Sequence, residues 1–176
     1  MNYSKIKKVD IANGPGCRTS IWLSGCRNNC RECFNPDLWD FKAGKVLSDS
    51  VIDEVVETLK PEYIAGLTIL GGEPLEPENQ QSVLKLIMKV RERFPKKTIW
   101  VYTGFTWETL LEGKERCCTN IIMDILQNID ILVDGPFQIE NKQAGLPFRG
   151  SSNQRFIQTK LSLKLNSLIL DNYEQV

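Results

Sequence analysis

The residues best suited to chemistry are three cysteines at positions 26, 30 and 33, which have the spacing C-x3-C-x2-C. A structural zinc site is closed by four ligands drawn mainly from Cys and His, and this chain contains no histidine. Iron–sulfur clusters are held by cysteine thiolates. Three thiolates around a [4Fe–4S] cube leave one iron without a protein ligand, where a small molecule can bind the metal. The spacing therefore favours a reactive cluster over a purely structural site.

The other cysteines are Cys17, upstream of the three, and the adjacent pair Cys117 and Cys118. We interpret them as small or buried thiols without a role in the chemistry. One alternative stays open from the residues alone. If Cys17 supplied a fourth thiolate to the clustered set, the chain would be a zinc-binding module without catalytic activity.

A second motif, Gly71-Gly72-Glu73-Pro74, follows an apolar stretch that is typical of a buried strand. Two consecutive glycines remove side chains, so the backbone can approach a ligand closely. Pro74 fixes the direction of the chain, and Glu73 adds a carboxylate. On its own, a tight strand-to-helix turn would explain these residues equally well. Together with the upstream cysteines, they favour a ligand site.

Short apolar stretches alternate with amphipathic ones and predict the elements that position the motifs. We predict strands over 19–24, 66–70, 98–102 and 129–133, and helices over about 50–60, 83–94, 106 onward and 120–127. This alternation indicates βαβ crossovers and a mainly parallel sheet. Each motif falls at the carboxyl end of a strand, the functional edge of such sheets. A complete barrel takes about 250 residues, so this chain can form only part of one.

Two local sequence patterns predict the start of the first helix and the structure of the carboxy-terminal segment. Ser50 and Asp53 have the spacing of a capping box, which predicts that the first helix begins at Ser50. Residues 161–170 alternate between apolar and polar side chains, which favours either an edge strand or a tail that binds a partner.

Composition excludes several classes of protein. The 22 basic and 22 acidic side chains give a formal net charge of zero, which does not indicate a nucleic-acid or anionic-membrane surface. The sequence lacks the run of about 20 apolar residues that spans a bilayer, and its polar start is unlike a signal peptide. We therefore expect a single cytoplasmic domain over 1–176, with reduced cysteines and with neither nucleic acid nor membrane as a partner.

The cysteine and glycine motifs together resemble the radical S-adenosylmethionine (SAM) enzymes. Further segments narrow the resemblance to activases of glycyl-radical enzymes: they are Asn-Gly-Pro-Gly at 13–16, Arg-Thr at 18–19, Ser-Gly-Cys at 24–26, Cys-Phe-Asn-Pro at 33–36, Tyr-Thr-Gly at 102–104 and Asp-Gly-Pro-Phe at 134–137. The run LPFRGSSNQR at 146–155 is most similar to activases that serve an anaerobic ribonucleotide reductase. The resemblance covers a core of about 11–160 and leaves 161–176 as a carboxy-terminal extension.

The resemblance implies roles for individual residues. Cys26, Cys30 and Cys33 would ligate a [4Fe–4S] cluster, and the amino and carboxylate groups of SAM would chelate its open iron. Eight residues would line or contact bound SAM: they are Glu32, Phe34, Gly71, Gly72, Glu73, Pro74, Thr103 and Asp134. The glycine motif would meet the amino end of SAM mostly through backbone, and the backbone at 32–34 would flank the adenine. Because an inward carboxylate would repel that of SAM, we expect the Glu32 side chain to face solvent.

The resemblance also implies a fold, an activity and partners. The fold would be an incomplete parallel (βα) barrel of the radical SAM type, with the cluster at its mouth. The activity would be reductive cleavage of SAM to place a glycyl radical on the large subunit of an anaerobic ribonucleotide reductase, with an electron donor such as flavodoxin. No side chain would be catalytic beyond the cluster and SAM. The nearest enzymatic alternative is an activase of another glycyl-radical enzyme, such as pyruvate formate-lyase.

Overall fold

The chain is built around a seven-stranded sheet. The structure, a computed structural model, describes residues 1–173. The strands are β1 (Asn2–Asp10), β2 (Cys17–Leu23), β3 (Lys45–Val46), β4 (Ile64–Gly71), β5 (Thr98–Tyr102), β6 (Ile131–Asp134) and β7 (Arg155–Gln158). Their order across the sheet is β3-β1-β2-β4-β5-β6-β7, and the sheet does not close into a barrel.

The four central strands are those predicted from the sequence, and β2, β4, β5 and β6 run parallel to one another. The outer strands β1, β3 and β7 are antiparallel to their neighbours. The sheet is therefore mixed, and the prediction of a mainly parallel sheet is wrong at its flanks. The sequence of β1, NYSKIKKVD, conceals that strand because many of its side chains face solvent and are polar.

Five α-helices lie within the described residues. They are α1 (Asp49–Glu57), α2 (Pro77–Arg93), α3 (Trp107–Glu112), α4 (Ile122–Asn128) and α5 (Thr159–Leu165). The cap of α1 is Ser48 rather than the predicted Ser50, and its side chain accepts a hydrogen bond from the Val51 N–H at 3.4 Å. Within residues 1–173, no helix is long and apolar enough to cross a bilayer.

The carboxy-terminal extension differs from the prediction of an edge strand over 161–170. Its first part is the helix α5, which ends at Asn166 in a left-handed conformation with φ of 47°. Within the described part of the extension, only Leu170 makes a strand-like bridge, to Ile157 of β7. Residues 174–176 of the predicted extension lie outside the described residues.

The two faces of the sheet are buried by different means. Alternation along β5 directs Ile99 and Val101 into the apolar core formed with α1, α2 and α4. Trp100 faces the opposite side and belongs to a second, aromatic cluster. On that side the buried Arg18 donates to Thr68 Oγ1 at 2.8 Å, and its guanidinium lies 5.3 Å from the centre of the Trp100 ring. This polar and aromatic face lies beneath the site described below.

Candidate iron–sulfur site

A cavity of about 460 Å³ lies at the carboxyl ends of the central strands. The loop after β2 contributes Cys26, Cys30 and Cys33 to its wall. The ends of the other parallel strands contribute Gly71, Gly72, Thr103, Gly104 and Gly135. The convergence of the sequence motifs at this edge is therefore confirmed, because parallel strands bring the loops that follow them to the same side of the sheet.

Backbone N–H groups act on the three thiols of the loop. The Asn35 N–H donates to Cys33 Sγ at 3.4 Å. Backbone N–H groups of Asn28 and Phe137 donate to the sulfurs of Cys26 and Cys30 and lower the pKa values of these thiols. Burial opposes them and dominates, so the Cys26 pKa rises to about 12 and the Cys30 pKa is also raised. Metal binding must therefore displace protons from these thiols.

These donors suit an iron–sulfur cluster. Within residues 1–173, no three His, Cys, Asp or Glu side chains are grouped to hold a single metal ion. In a [4Fe–4S] cube each thiolate binds a different iron, and N–H groups directed at sulfur stabilise the negative charge of such a cluster. Three thiols on one cavity wall, with a backbone N–H that donates to Cys33 Sγ, fit that group.

Cys17 lies at the wrong end of β2 to join the other three cysteines. It is the first residue of the strand, whereas the cysteine loop follows Leu23 at the other end. At about 3.3 Å per residue, the strand separates the two ends by roughly 20 Å. The structure thus removes the fourth thiolate that the zinc-module alternative required. Cys117 is fully buried in the core, as the interpretation of a packing thiol predicts.

The cysteine loop is packed directly onto the glycine motif. Gly71 has a φ of +118°, and a Cβ there would lie 2.5 Å from the Leu23 backbone nitrogen. A Cβ on Gly72 would lie 2.7 Å from the Gly25 carbonyl oxygen. The Glu73 N–H donates to that same carbonyl at 2.8 Å. Glycine is required here because the strand end and the cysteine loop touch through backbone alone.

The Glu73 carboxylate is fully buried and joins three segments. Its Oε1 accepts from Thr103 Oγ1 at 2.8 Å and from the Leu75 N–H at 2.9 Å. Its Oε2 accepts from the Gly104 N–H at 2.7 Å and from Asn28 Nδ2 at 2.8 Å. Burial raises the Glu73 pKa, and the four donors oppose that rise. The side chain therefore fixes the cysteine loop against the ends of β4 and β5.

A second buried carboxylate, Glu76, binds two arginines beside the same loop. It accepts from the Arg27 N–H at 2.9 Å and from Arg27 Nη1 at 2.8 Å. Arg116 Nε donates to it at 3.1 Å, and Arg116 Nη2 donates to Asn28 Oδ1 at 2.5 Å. Sequence reasoning missed this arrangement, because the sequence has no local signal that pairs Arg116 with the cysteine loop.

Comparison with known proteins agrees with this geometry. Residues 12–157 match a family described as a 4Fe-4S single cluster domain. The chain is 34% identical to an anaerobic ribonucleoside-triphosphate reductase-activating protein of Enterobacteria phage T4, over 88% of this chain and 92% of that protein. Proteins of the same name from Vibrio cholerae and Haemophilus influenzae are each 36% identical, over 88% and 92% of this chain and 96% and 100% of theirs. The chain belongs to the anaerobic ribonucleoside-triphosphate reductase-activating proteins.

In this member of the activating-protein family, four of the eight residues predicted to contact SAM line the cavity. They are Phe34, Gly71, Gly72 and Thr103. The other four, Glu32, Glu73, Pro74 and Asp134, are not part of its wall. Glu32 is exposed, as expected for a carboxylate that faces solvent. SAM binding by the four lining residues stays a prediction.

Asp134 has a structural role that the sequence did not indicate. It is completely buried, and its Oδ2 accepts from the Trp107 N–H at 2.7 Å. Arg155 donates to both carboxylate oxygens, from Nε at 3.0 Å and from Nη2 at 2.5 Å. The carboxylate of this activating protein thus ties β6 to α3 and β7. This side chain is not part of the cavity wall, and the expected polar contact from Asp134 to SAM stays a prediction.

Proposed function

We propose that this chain is a radical SAM activase that generates a glycyl radical on an anaerobic ribonucleotide reductase. The observation that most directly supports this proposal is that three thiols and a two-glycine turn share one cavity wall at the carboxyl ends of parallel strands. The name shared by these relatives, anaerobic ribonucleoside-triphosphate reductase-activating protein, supports the choice of partner. The radical mechanism, the use of SAM and ligation by three cysteines are the finer parts of the proposal.

In the proposed site, Cys26, Cys30 and Cys33 hold a [4Fe–4S] cluster, and SAM lies against the wall formed by Phe34, Gly71, Gly72 and Thr103. Bound together, the cluster and SAM would supply the radical chemistry, namely reductive cleavage of SAM and removal of a hydrogen atom from a glycine α-carbon of the partner. The protein would bind SAM, orient it and exclude water from the site. Glu73 and Glu76 hold the cysteine loop through their hydrogen bonds.

Two further features are compatible with a radical reaction. Abstraction of a hydrogen atom needs no general base, and the chain has no histidine to act as one. The open sheet with four parallel central strands is compatible with an incomplete (βα) barrel of the radical SAM type. We expect the protein to work as a single domain in the cytoplasm, with a small electron-transfer protein such as flavodoxin as its donor.

The test is to mix the anaerobically reconstituted protein, SAM and a reductant with candidate partner enzymes. We expect a glycyl-radical doublet in the electron paramagnetic resonance spectrum of the large reductase subunit, together with 5′-deoxyadenosine. Cys30→Ser should abolish both products, whereas Cys118→Ser, outside the cavity wall, should not. A doublet that forms only on pyruvate formate-lyase would overturn the choice of partner in favour of the other activase.

A further inference from the structure

Phe148 has an unusual backbone conformation in the cavity wall. Its φ is +54°, which places a bulky aromatic residue in the left-handed region. The residue lines the cavity, and its carbonyl oxygen accepts a hydrogen bond from the Tyr102 hydroxyl at 2.5 Å. Such a conformation persists where surrounding groups hold it in place, and residues of this kind are concentrated at functional sites. Neighbouring groups must therefore hold Phe148 in this conformation.

The ring of Phe148 is held by aromatic neighbours. Its centroid lies 6.1 Å from that of Trp100 and 6.2 Å from that of Tyr173, and both pairs meet edge to face. The Tyr173 ring in turn lies 5.0 Å from Trp100 and 5.1 Å from Phe156. Tyr173 therefore completes a four-ring cluster on the face of the sheet beneath the cavity. Edge-to-face pairs of this kind stabilise more than their buried area alone accounts for.

The chain beyond α5 is bound to β7, and this brings Tyr173 to the cluster. The Gln158 N–H donates to the Ile169 carbonyl at 3.0 Å, and the Asp171 N–H donates to the Phe156 carbonyl at 2.8 Å. The Tyr173 hydroxyl donates to Asp171 Oδ2 at 2.9 Å. Its hydroxyl bond thus stays within this segment, and only the ring reaches Trp100 and Phe148.

We infer that Tyr173 is a positioning residue for the cofactor cavity. Its ring packs against Phe148, so residues 166–173 hold the part of the cavity wall that Phe148 adds to the proposed SAM site. The inference rests on the proposed function for the identity of the ligand, but not for the support of Phe148. It also gives the carboxy-terminal extension a role within its own chain, in place of the partner-binding tail that the sequence suggested.

The test compares three variants of the full-length protein. Tyr173→Ala removes the ring, Tyr173→Phe removes only the hydroxyl, and Leu170→Ala removes an exposed side chain of the same segment. Amide hydrogen exchange follows residues 146–152, where the Gly150 N–H is bonded to Gln154 Oε1 at 2.8 Å. We expect exchange there to be faster by about tenfold in Tyr173→Ala, without a matching rise in β4 and β5, and unchanged in the other two variants.

Equilibrium binding of SAM to the reconstituted variants provides the second measurement. We expect Tyr173→Ala to bind SAM at least about threefold more weakly. The apparent affinity falls with the fraction of molecules whose cavity wall is in the conformation that binds SAM. Tyr173→Phe and Leu170→Ala should bind as the unaltered protein does. Equal behaviour of all variants, or equal loss in Tyr173→Ala and Tyr173→Phe, overturns the inference. If the unaltered protein with an intact cluster does not bind SAM, the proposed function fails, and hydrogen exchange still decides whether Tyr173 supports Phe148.

Discussion

Arg116 Nη2 donates a hydrogen bond to Asn28 Oδ1 at 2.5 Å, between residues 88 positions apart in the chain. Asn28 lies between the first two clustered cysteines, and its Nδ2 donates to Glu73. Arg116 also pairs with the buried Glu76. The position of the cysteine loop therefore depends on a side chain that belongs to none of the motifs.

Replacing Arg116 by Ala should loosen the cysteine loop. The change leaves Asn28 Oδ1 without its Arg116 donor and leaves Glu76 paired with Arg27 alone. We therefore expect a loss of about 1–2 kcal/mol in the free energy of unfolding. The variant should also retain less iron after reconstitution. Urea denaturation and iron analysis check both. Arg93→Ala, which breaks an exposed ion pair with Glu57, is the matched control. If the two variants behaved alike, Arg116 would have no special role.

Glu73→Gln should destabilise the protein despite its similar shape. Both oxygens of the Glu73 carboxylate accept hydrogen bonds, two each, and the amide of Gln would turn one acceptor into a donor that faces other donors. We expect a loss of about 2–3 kcal/mol in the free energy of unfolding, measured by chemical denaturation. Glu112→Gln at an exposed position gives the control. An unchanged stability would mean that Glu73 is protonated or its hydrogen bonds are not formed.

Gly72→Ala should displace the cysteine loop. The new methyl group would lie 2.7 Å from the Gly25 carbonyl oxygen and 2.9 Å from that of Leu38, too close for either atom to stay in place. We expect the variant to fold but to retain less iron. Gly113→Ala is the control, because that glycine has a φ of +74° and open space around it, so only backbone strain of about 1 kcal/mol is added. Equal iron contents in the two variants would contradict the close packing.

The buried Asp10 predicts a loss of stability in acid. Burial alone would raise its pKa, but hydrogen bonds from Asn13, Lys7, Ser20 and the Ala12 N–H outweigh burial and lower the pKa to about 2, from an ordinary value of 3.8. A lowered pKa stabilises the folded state above about pH 4, and the contribution disappears as the pH falls from 4 to 2. We expect it to be at most about 2 kcal/mol, reduced by solvent screening of Lys7.

Denaturation between pH 7 and pH 2 measures this dependence. In Asp10→Asn the part of the pH dependence due to this carboxyl group should vanish, and the variant should be less stable than the unaltered protein at pH 7. Asp53→Asn, at an exposed position, serves as the control. Parallel pH profiles for Asp10→Asn and the unaltered protein would show that Asp10 is not perturbed.

The sequence predicted the parts of the fold and site that depend on local pattern. Buried parallel strands such as β4 are continuous apolar runs, and each of the central ones ends in a recognisable turn. Since parallel strands bring those turns to one edge, the meeting of Cys26, Cys30 and Cys33 with Gly71 followed from the order of elements alone. The outer strand β1, which lies between β3 and β2, was missed because its apolar alternation is weak and many of its side chains are polar.

The roles of individual polar side chains were harder to predict. The resemblance implied that Glu73 and Asp134 lie near SAM, but it did not indicate that both carboxylates accept hydrogen bonds from donors of the protein itself. A buried carboxylate must find such donors, and which residues provide them depends on tertiary packing rather than on spacing. Arg116 and Tyr173 could not be identified for the same reason, since their contacts are made across long separations in the chain.

The most direct test of the central claim is the electron paramagnetic resonance spectrum of the reconstituted, reduced protein with and without SAM. Three cysteine ligands leave one iron of a [4Fe–4S] cluster open, so the account predicts a reduced-cluster signal that changes when SAM is added. Cys26→Ser should diminish the signal, and Cys17→Ser, at the far end of β2, should leave it and its response to SAM intact. A cluster signal indifferent to SAM would contradict the account, because it would mean that every iron is already ligated.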